Sequence, residues 1–415
     1  MQEELLMIPG PVPVIPRIRE AMSRPMISHR SDEFSAIYGE IVDDLKRLFQ
    51  TKNDLFVLSG SGTCAMEAAV GNLTGITSAN INGTEKTKPQ SSVVTIVNGK
   101  FSERFQEIAV RYAGRDAVTP VRFNWGDPIE LEEVKKALEK SSDPEVKANA
   151  NANANATRKI VTMVHNETST GMLNPAREVG KLARKHDAVF VLDCITSIGG
   201  DDVRVDEFGA DIAIVGSQKC IGMPPGLAAL SISERAWDLI AENRNRPYYQ
   251  DLLAYKKSFG KGEGQRQTPY TPALPLFFAL HEALKVIKEE GMAKRIERHR
   301  RLSNAVRTAI SRLGLYLFPT LNEATDYSNT VTAIKTPLAA GITDELLRGG
   351  MRKKGVIISG GQEELKGKIF RIATMGNITE TEVLRTIAAL EEVLAENNFI
   401  ERVGNGLEAA EEVLL

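Results

Sequence analysis

The chain has 415 residues, of which 42% are hydrophobic and 26% charged, and its formal net charge at pH 7 is −2. This length exceeds what one hydrophobic core usually supports, so we expect two domains. The small net charge disfavours a nucleic-acid or anionic-membrane surface. No apolar run approaches the roughly 18 residues of a membrane span. Three cysteines at spacings atypical of metal sites and an acidic N-terminus unlike a signal peptide favour a cytoplasmic protein without a metal site.

The first 20 residues are rich in proline, with Pro9, Pro11, Pro13 and Pro16. This composition predicts an extended arm rather than a helix. Apolar runs then alternate with helical patterns up to about residue 275. This alternation predicts parallel strands joined by crossover helices, and therefore an α/β fold. From about residue 276 a long helical stretch leads into a mixed pattern that is typical of a smaller α+β domain.

Four segments follow from this pattern. We expect an N-terminal arm (1–20), a large domain (21–275), a small C-terminal domain (276–396) and a loosely packed acidic tail (397–415). Alternating Ala and Asn within 147–157 has no apolar face, so we interpret this run as an expanded surface loop of the large domain.

Two ionisable residues follow apolar runs that the pattern predicts to be buried strands. Asp193 closes the run 189–192, and Lys219 comes shortly after the run 212–215. Ligands of open α/β sheets bind beyond the carboxyl ends of the strands, so both side chains can reach one pocket there. The pair suits pyridoxal phosphate (PLP), because the amine forms a Schiff base with the aldehyde and the carboxylate keeps the pyridine nitrogen protonated. A solvated loop lysine and a helix N-cap aspartate remain the alternative interpretation.

A glycine-rich turn, Ser59–Thr63, lies between a short strand and a helical pattern, which is the arrangement of an anion site at a helix N-terminus. The turn lacks the spacing of a P-loop and is weak evidence by itself. Phe101 also follows a strand, and there it can either stack on a flat cofactor or pack in the core.

Together these motifs resemble those of class V PLP-dependent aminotransferases of fold type I, in the alanine–glyoxylate and serine–pyruvate branch. The resemblance spans most of the chain and implies a large domain with a mostly parallel seven-stranded sheet plus a small α+β domain. It is carried by Pro9-Gly10-Pro11, His29-Arg30-Ser31, Phe49-Gln50-Thr51-Lys52-Asn53, the turn at 59–69, His165-Asn166-Glu167-Thr168-Ser169-Thr170-Gly171, Ser217-Gln218-Lys219, Pro224-Pro225-Gly226 and Arg371.

The resemblance also implies a role for each matched residue. Lys219 would bind the cofactor covalently and act as base and acid, and Asp193 would pair with the pyridinium nitrogen. The phosphate would be held by Ser61, Gly62, Thr63 and Gln218, and by Thr271 of a neighbouring subunit, so a homodimer is implied. Phe101 would stack on the ring, Thr168 would lie near the ring hydroxyl, and Arg371 would bind the substrate α-carboxylate, for which a planar guanidinium is suited.

The sequence departs from this family at three places. Thr63 stands where many relatives have His, Phe101 replaces the Trp of some members, and the Ala/Asn run is not part of the family pattern. None of these differences removes a group that the chemistry needs.

We therefore expect a homodimeric aminotransferase acting in ping-pong order. Its donor would be alanine, serine or aspartate, and its acceptor glyoxylate, pyruvate or 2-oxoglutarate. Phosphoserine or aspartate aminotransfer is the main alternative, with His29, Arg30 and Arg266 as available cations. A cysteine desulfurase is disfavoured because no cysteine follows Cys220 to supply a loop thiol. A non-catalytic scaffold is disfavoured by the intact Lys219, Asp193 and Arg371.

Overall fold

The computed structural model describes residues 4–81, 84–89, 91–140, 158–260 and 266–415. The Ala/Asn run (147–157), which we interpret as a surface loop, lies outside these residues. Within the described ranges, no helix combines the length and the apolar character that crossing a membrane requires.

The elements follow one another in strand–helix alternation through the first two thirds of the chain. Up to residue 140 they are β1 (Leu5–Met7), α1 (Pro16–Ala21), α2 (Asp32–Phe49), β2 (Asp54–Ser59), α3 (Gly62–Leu73), β3 (Ile76–Ile81), β4 (Thr84–Pro89), β5 (Ser91–Val97), α4 (Lys100–Ala113), β6 (Val118–Arg122) and α5 (Leu131–Lys140). From residue 158 to 260 they are β7 (Arg158–Val164), β8 (Asn166–Glu167), β9 (Met172–Leu173), α6 (Ala176–Lys185), β10 (Ala188–Asp193), α7 (Val205–Phe208), β11 (Ile212–Gly216), β12 (Leu227–Ile232), α8 (Glu234–Glu242) and α9 (Leu252–Phe259).

The last third of the chain is mainly helical. Its elements are α10 (Leu274–Glu290), α11 (Met292–Arg312), β13 (Asp326–Tyr327), β14 (Val331–Lys335), α12 (Asp344–Lys353), β15 (Val356–Gly360), β16 (Ile369–Ala373), α13 (Glu380–Glu396) and α14 (Asn405–Leu414).

A seven-stranded sheet forms the centre of the molecule, in the order β2-β12-β11-β10-β7-β5-β6. Its strands run parallel except β12, which is antiparallel to both of its neighbours. Hydrophobic clusters cover both faces of the sheet. Strand β10 is buried along its whole length. Burial on both faces of the sheet explains why such strands have continuous apolar sequences. The predicted α/β fold with a mostly parallel seven-stranded sheet is confirmed.

A second sheet has four strands in the order β1-β15-β16-β14 and its own core. Strand β1 pairs in parallel with β15, so the N-terminal residues belong to the sheet of the C-terminal third. Helix α10 packs in the core of the large sheet, whereas α11 packs in the core of the small one. The change from one core to the other therefore falls at the α10–α11 junction, and the domain limits given above stay a prediction.

The sequence predicts that the proline-rich segment is extended throughout, but the structure shows that only part of it is. Strand β1 and the following residues are extended, but Pro16 begins helix α1. A proline is accommodated in the first helical turn because the N–H group it lacks has no partner within the helix.

The acidic C-terminal segment is also more ordered than a loose tail. Ala409 and Ala410 of α14 are fully buried, and the helix packs against α11 and α13. The buried carboxylate of Glu391 accepts hydrogen bonds from Gly404 N (3.0 Å) and Gly406 N (2.6 Å), and so satisfies the start of α14. This contact between distant residues explains why the helix could not be inferred from local pattern alone.

Candidate active site

A cavity of about 90 Å³ lies at the carboxyl ends of the central strands. Strand–helix connections of the large sheet supply most of its wall. Its lining residues are Ser61, Gly62, Thr63, Met66, Phe101, Arg104, Val164, Asn166, Thr168, Asp193, Ile195, Thr196, Gln218 and Lys219. The cavity thus brings together all the site residues named from the sequence except Arg371 and Thr271. A more open groove beside Trp125 shares no lining residue with it.

Lys219 follows β11 and lies beneath the N-terminal segment. Its Nζ donates a hydrogen bond to Pro9 O. The next residue, Gly10, has φ of +109°, and a Cβ atom there would lie 2.5 Å from Lys219 Nζ. Only glycine allows this backbone to pass so close to the amine. Burial lowers the pKa of Lys219 to about 8, so a larger share of the amine is neutral near pH 7 than in a solvated lysine.

Asp193 ends strand β10 and is only 3% exposed. Its Oδ1 accepts a hydrogen bond of 2.8 Å from Ile195 N. Burial raises the pKa of its carboxyl to about 7. A cation held beside this carboxylate, such as a protonated pyridine nitrogen, would favour its ionised form.

The N-terminus of α3 faces the same cavity. Ser61 is its N-cap residue, yet the side chain makes no capping hydrogen bond. The first-turn N–H groups and the helix dipole of such a terminus favour a bound anion. A Cβ atom on Gly62 would lie 2.4 Å from Ile195 Cδ1, so this turn packs too closely for a larger residue.

Three polar atoms of the cavity wall, Asn166 Oδ1, Thr168 Oγ1 and Gln218 Oε1, are buried and have no hydrogen-bond partner within the described ranges. Thr168 is 1% exposed. Buried polar groups are nearly always hydrogen-bonded, so unpaired ones beside a cavity are expected to bind a ligand. A ligand with a ring hydroxyl and a phosphate, such as PLP, offers the polar groups that these atoms need.

Phe101 lies in the first turn of α4, whose N-terminus is occupied from within the protein. The buried carboxylate of Glu167 accepts hydrogen bonds from Phe101 N (3.3 Å), Ser102 N (2.9 Å) and Ser169 N (3.2 Å). An acidic group at this position satisfies the unpaired N–H groups and the dipole. Glu167 therefore fixes the start of α4, which carries the Phe101 ring to the cavity wall.

Arg371 lies on β16 of the small sheet and is 5% exposed. Its Nε and Nη2 donate to Gly360 O (3.0 and 2.8 Å), and its Nη1 donates to Thr168 O (2.9 Å). The guanidinium therefore connects the small sheet to the wall of the cavity. Burial lowers the pKa of Arg371 to about 10, which still leaves it charged at neutral pH.

Thr271 is exposed and does not line the cavity of its own chain. Its proposed contact with the phosphate in a neighbouring subunit stays a prediction.

The structure adds residues that the sequence did not single out, among them Arg104, Asn166 and Thr196. Arg104 follows Phe101 by three positions, a spacing that places both side chains on one face of a helix. That spacing was the available signal. No local sequence signal indicates the contact between Pro9 and Lys219, since 210 positions separate the two residues.

Comparison with known sequences agrees with this site. The family model described as aminotransferase class-V matches residues 133–366. This match covers more than half of the chain, so the chain belongs to the class-V aminotransferase family. Members of this class act with PLP, and the chain is an aminotransferase of fold type I.

Its relatives include transaminases that use glyoxylate. The chain is 41% identical to an uncharacterized aminotransferase of Methanocaldococcus jannaschii, over 100% of this chain and 98% of the relative. It is 30% identical to the serine–glyoxylate aminotransferase of Arabidopsis thaliana, over 98% and 94%. The crystal structure of ureidoglycine–glyoxylate aminotransferase from Bacillus subtilis is similar with a TM-score of 0.84 and 32% identity, over 100% and 98% of the two chains.

Proposed function

We propose that this chain binds PLP and moves an amino group from alanine, serine or aspartate to glyoxylate, pyruvate or 2-oxoglutarate. One observation carries the proposal: Lys219 and Asp193 line a single cavity, and Arg371 binds its wall at Thr168 O. A nucleophilic amine, a carboxylate for a ring nitrogen and a cation for a substrate carboxylate are the groups that transamination needs.

Each residue of the site contributes a separate step. Bound PLP supplies an electron sink for the carbon that loses its proton. The Lys219 amine would hold the cofactor and, when free, would act as the general base and acid that takes that proton and returns it to a different carbon. Its pKa of about 8 keeps both protonation states accessible at neutral pH. Asp193 would hold the proton on the ring nitrogen.

The remaining residues hold the cofactor and orient the substrate. Ser61, Gly62, Thr63 and Gln218 would bind the phosphate, Thr168 the ring hydroxyl, and Phe101 would pack on the ring. Arg371 would bind the substrate carboxylate. The Pro9–Gly10 backbone against Lys219 leaves little space on that side of the amine, which favours substrates with small side chains.

A homodimer is part of the same proposal. Thr271 is exposed in its own chain. Near it in sequence, Tyr270 stacks on Tyr249 with 5.2 Å between ring centroids, and Tyr248 is 83% exposed. Clustered exposed aromatic side chains are typical of protein interfaces. The three free cysteines support a cytoplasmic location.

Glyoxylate is the acceptor that the named relatives suggest. The two reaction halves would follow ping-pong order, since the amino group resides on the cofactor between them.

Phosphoserine is the second donor class to test, but its candidate cations are already engaged. Arg30 donates to Thr268 O (2.6 Å), and Arg266 pairs with Asp43 at 3.2 Å. Neither arginine lines the cavity of its own chain, and neither does His29. The arrangement therefore favours donors without a phosphate.

An absorption spectrum of the purified protein tests the proposal. We expect a visible band from lysine-bound PLP. Alanine, serine or aspartate, each added alone, should convert it to the band of the pyridoxamine form, and glyoxylate should restore it. Phosphoserine serves as the comparison donor. A protein that stays colourless in the presence of added PLP would rule out the proposed function.

A further inference from the structure

Arg104 lines the cavity beside the N-terminus of α3. Its Nη1 donates a hydrogen bond of 3.2 Å to Thr63 Oγ1. Its guanidinium carbon lies 5.0 Å from the centroid of the Phe101 ring. The two contacts hold the planar cation beside Ser61 and Gly62, which line the same cavity.

The charge of Arg104 has no acidic partner within the described ranges, where the Thr63 hydroxyl is its hydrogen-bond acceptor. The charge still acts on the site. Burial raises the pKa of Asp193, and the positive charge of Arg104 opposes that rise. A half-buried arginine that faces a cavity without a carboxylate partner retains N–H donors for an anion.

The charges of the cavity wall indicate which anion Arg104 can bind. A phosphate monoester carries a charge of about −1.5 to −2 at pH 7. The α3 N-terminus offers about half a positive charge, and the serine, threonine and glutamine side chains around it are neutral. Lys219 and Arg104 are the two basic residues of the cavity wall, and Lys219 is committed to the reactive end of the cofactor.

We propose that Arg104 binds the phosphate group of PLP and supplies the main side-chain charge that neutralises it in this chain. The inference rests on the proposed function, because it assumes that PLP is the ligand. Thr63 then acts with Arg104: its hydroxyl orients the guanidinium, and its backbone belongs to the helix N-terminus that faces the same anion.

Equilibrium binding to the apoprotein tests this role without relying on turnover. PLP and pyridoxal, which lacks the phosphate, are titrated separately, and the band of the lysine-bound form reports binding. For Arg104→Gln we expect the Kd for PLP to rise roughly 10- to 100-fold, as for one lost hydrogen bond to a charged group. The Kd for pyridoxal should stay within about twofold. Arg104→Lys should lie between Arg104→Gln and the unmodified protein, since it keeps the charge but loses the planar fork.

Arg111→Gln is the matched control, because Arg111 is an exposed arginine on the same helix. Its Kd values for both ligands should not change. If Arg104→Gln does not fold, as judged by its thermal unfolding, Arg104→Lys and Thr63→Val carry the test, and both should weaken PLP binding selectively over pyridoxal.

Other outcomes would overturn the inference. Equal weakening of PLP and pyridoxal would mean that Arg104 only supports Phe101. Unchanged PLP binding together with a raised KM for aspartate would make it a substrate residue. A wild-type protein that binds neither ligand would instead refute the proposed function, so the two failures are distinguishable.

Discussion

Replacing Arg371 by alanine removes a cation that uses only some of its N–H donors in hydrogen bonds to the protein. A guanidinium has five N–H donors, and three hydrogen bonds bind Gly360 O and Thr168 O. The two remaining donors, one on each terminal nitrogen, match the two oxygens of a carboxylate. Losing this buried, charge-assisted pair costs about 2–4 kcal/mol, which corresponds to a rise in KM of roughly 30- to 1,000-fold.

The assay compares alanine as donor with ethylamine, which lacks the carboxylate. Arg371→Ala should raise the KM for alanine by roughly 30- to 1,000-fold. The slow reaction with ethylamine should be unchanged. Arg371→Lys should recover part of the loss, because it keeps the charge without the planar fork. Equal losses with both compounds would mean that Arg371 acts by holding Thr168 and Gly360 in place, and the reasoning about the carboxylate would be refuted.

Three further predictions concern the amine and the start of α4. Lys219→Ala should abolish turnover yet keep some PLP bound through the phosphate residues, as measured by equilibrium dialysis; a variant with full turnover would contradict the assignment. Since burial lowers the pKa of Lys219 to about 8, the rate of PLP attachment to the apoprotein should rise with pH up to about 8 and then level off. A rate that continues to rise towards pH 10 would show an amine with the pKa of a solvated lysine. Glu167→Gln replaces one carboxylate oxygen by an NH2 group, which cannot accept a hydrogen bond. Since Ser102 N and Ser169 N donate to different oxygens of Glu167, one of these two hydrogen bonds is lost, and the free energy of unfolding should fall by about 1–3 kcal/mol in urea denaturation. Glu103→Gln, at a partly exposed glutamate of the same turn, is the control, and equal stability of the two variants would contradict the capping role of Glu167.

Much of the site could be predicted because its residues come at or just after the ends of predicted strands. Asp193 and Lys219 come directly or shortly after apolar runs, and parallel strands bring their carboxyl ends to one edge of the sheet. The role of Arg371 came from family resemblance, and the structure explains its position through Thr168 O.

Contacts between distant segments could not be predicted. Glu167 reads as one polar residue in a loop, yet it is fully buried at the start of α4. Glu391 likewise reads as a surface position of a helix, although it holds the start of α14. Buried carboxylates of this kind become recognisable only when the helix N-terminus opposite them is known, since their periodicity resembles that of solvated residues.

The pairing of β1 with β15 has a consequence for the order in which the protein is completed. Leu5 pairs with Val356, so β1 has no partner during synthesis until 351 further residues have been made. Pro9 and Gly10, which cover the Lys219 amine, are anchored by that strand. A growing chain can thus assemble the large sheet first, and the reactive lysine receives its cover only when the C-terminal strands emerge.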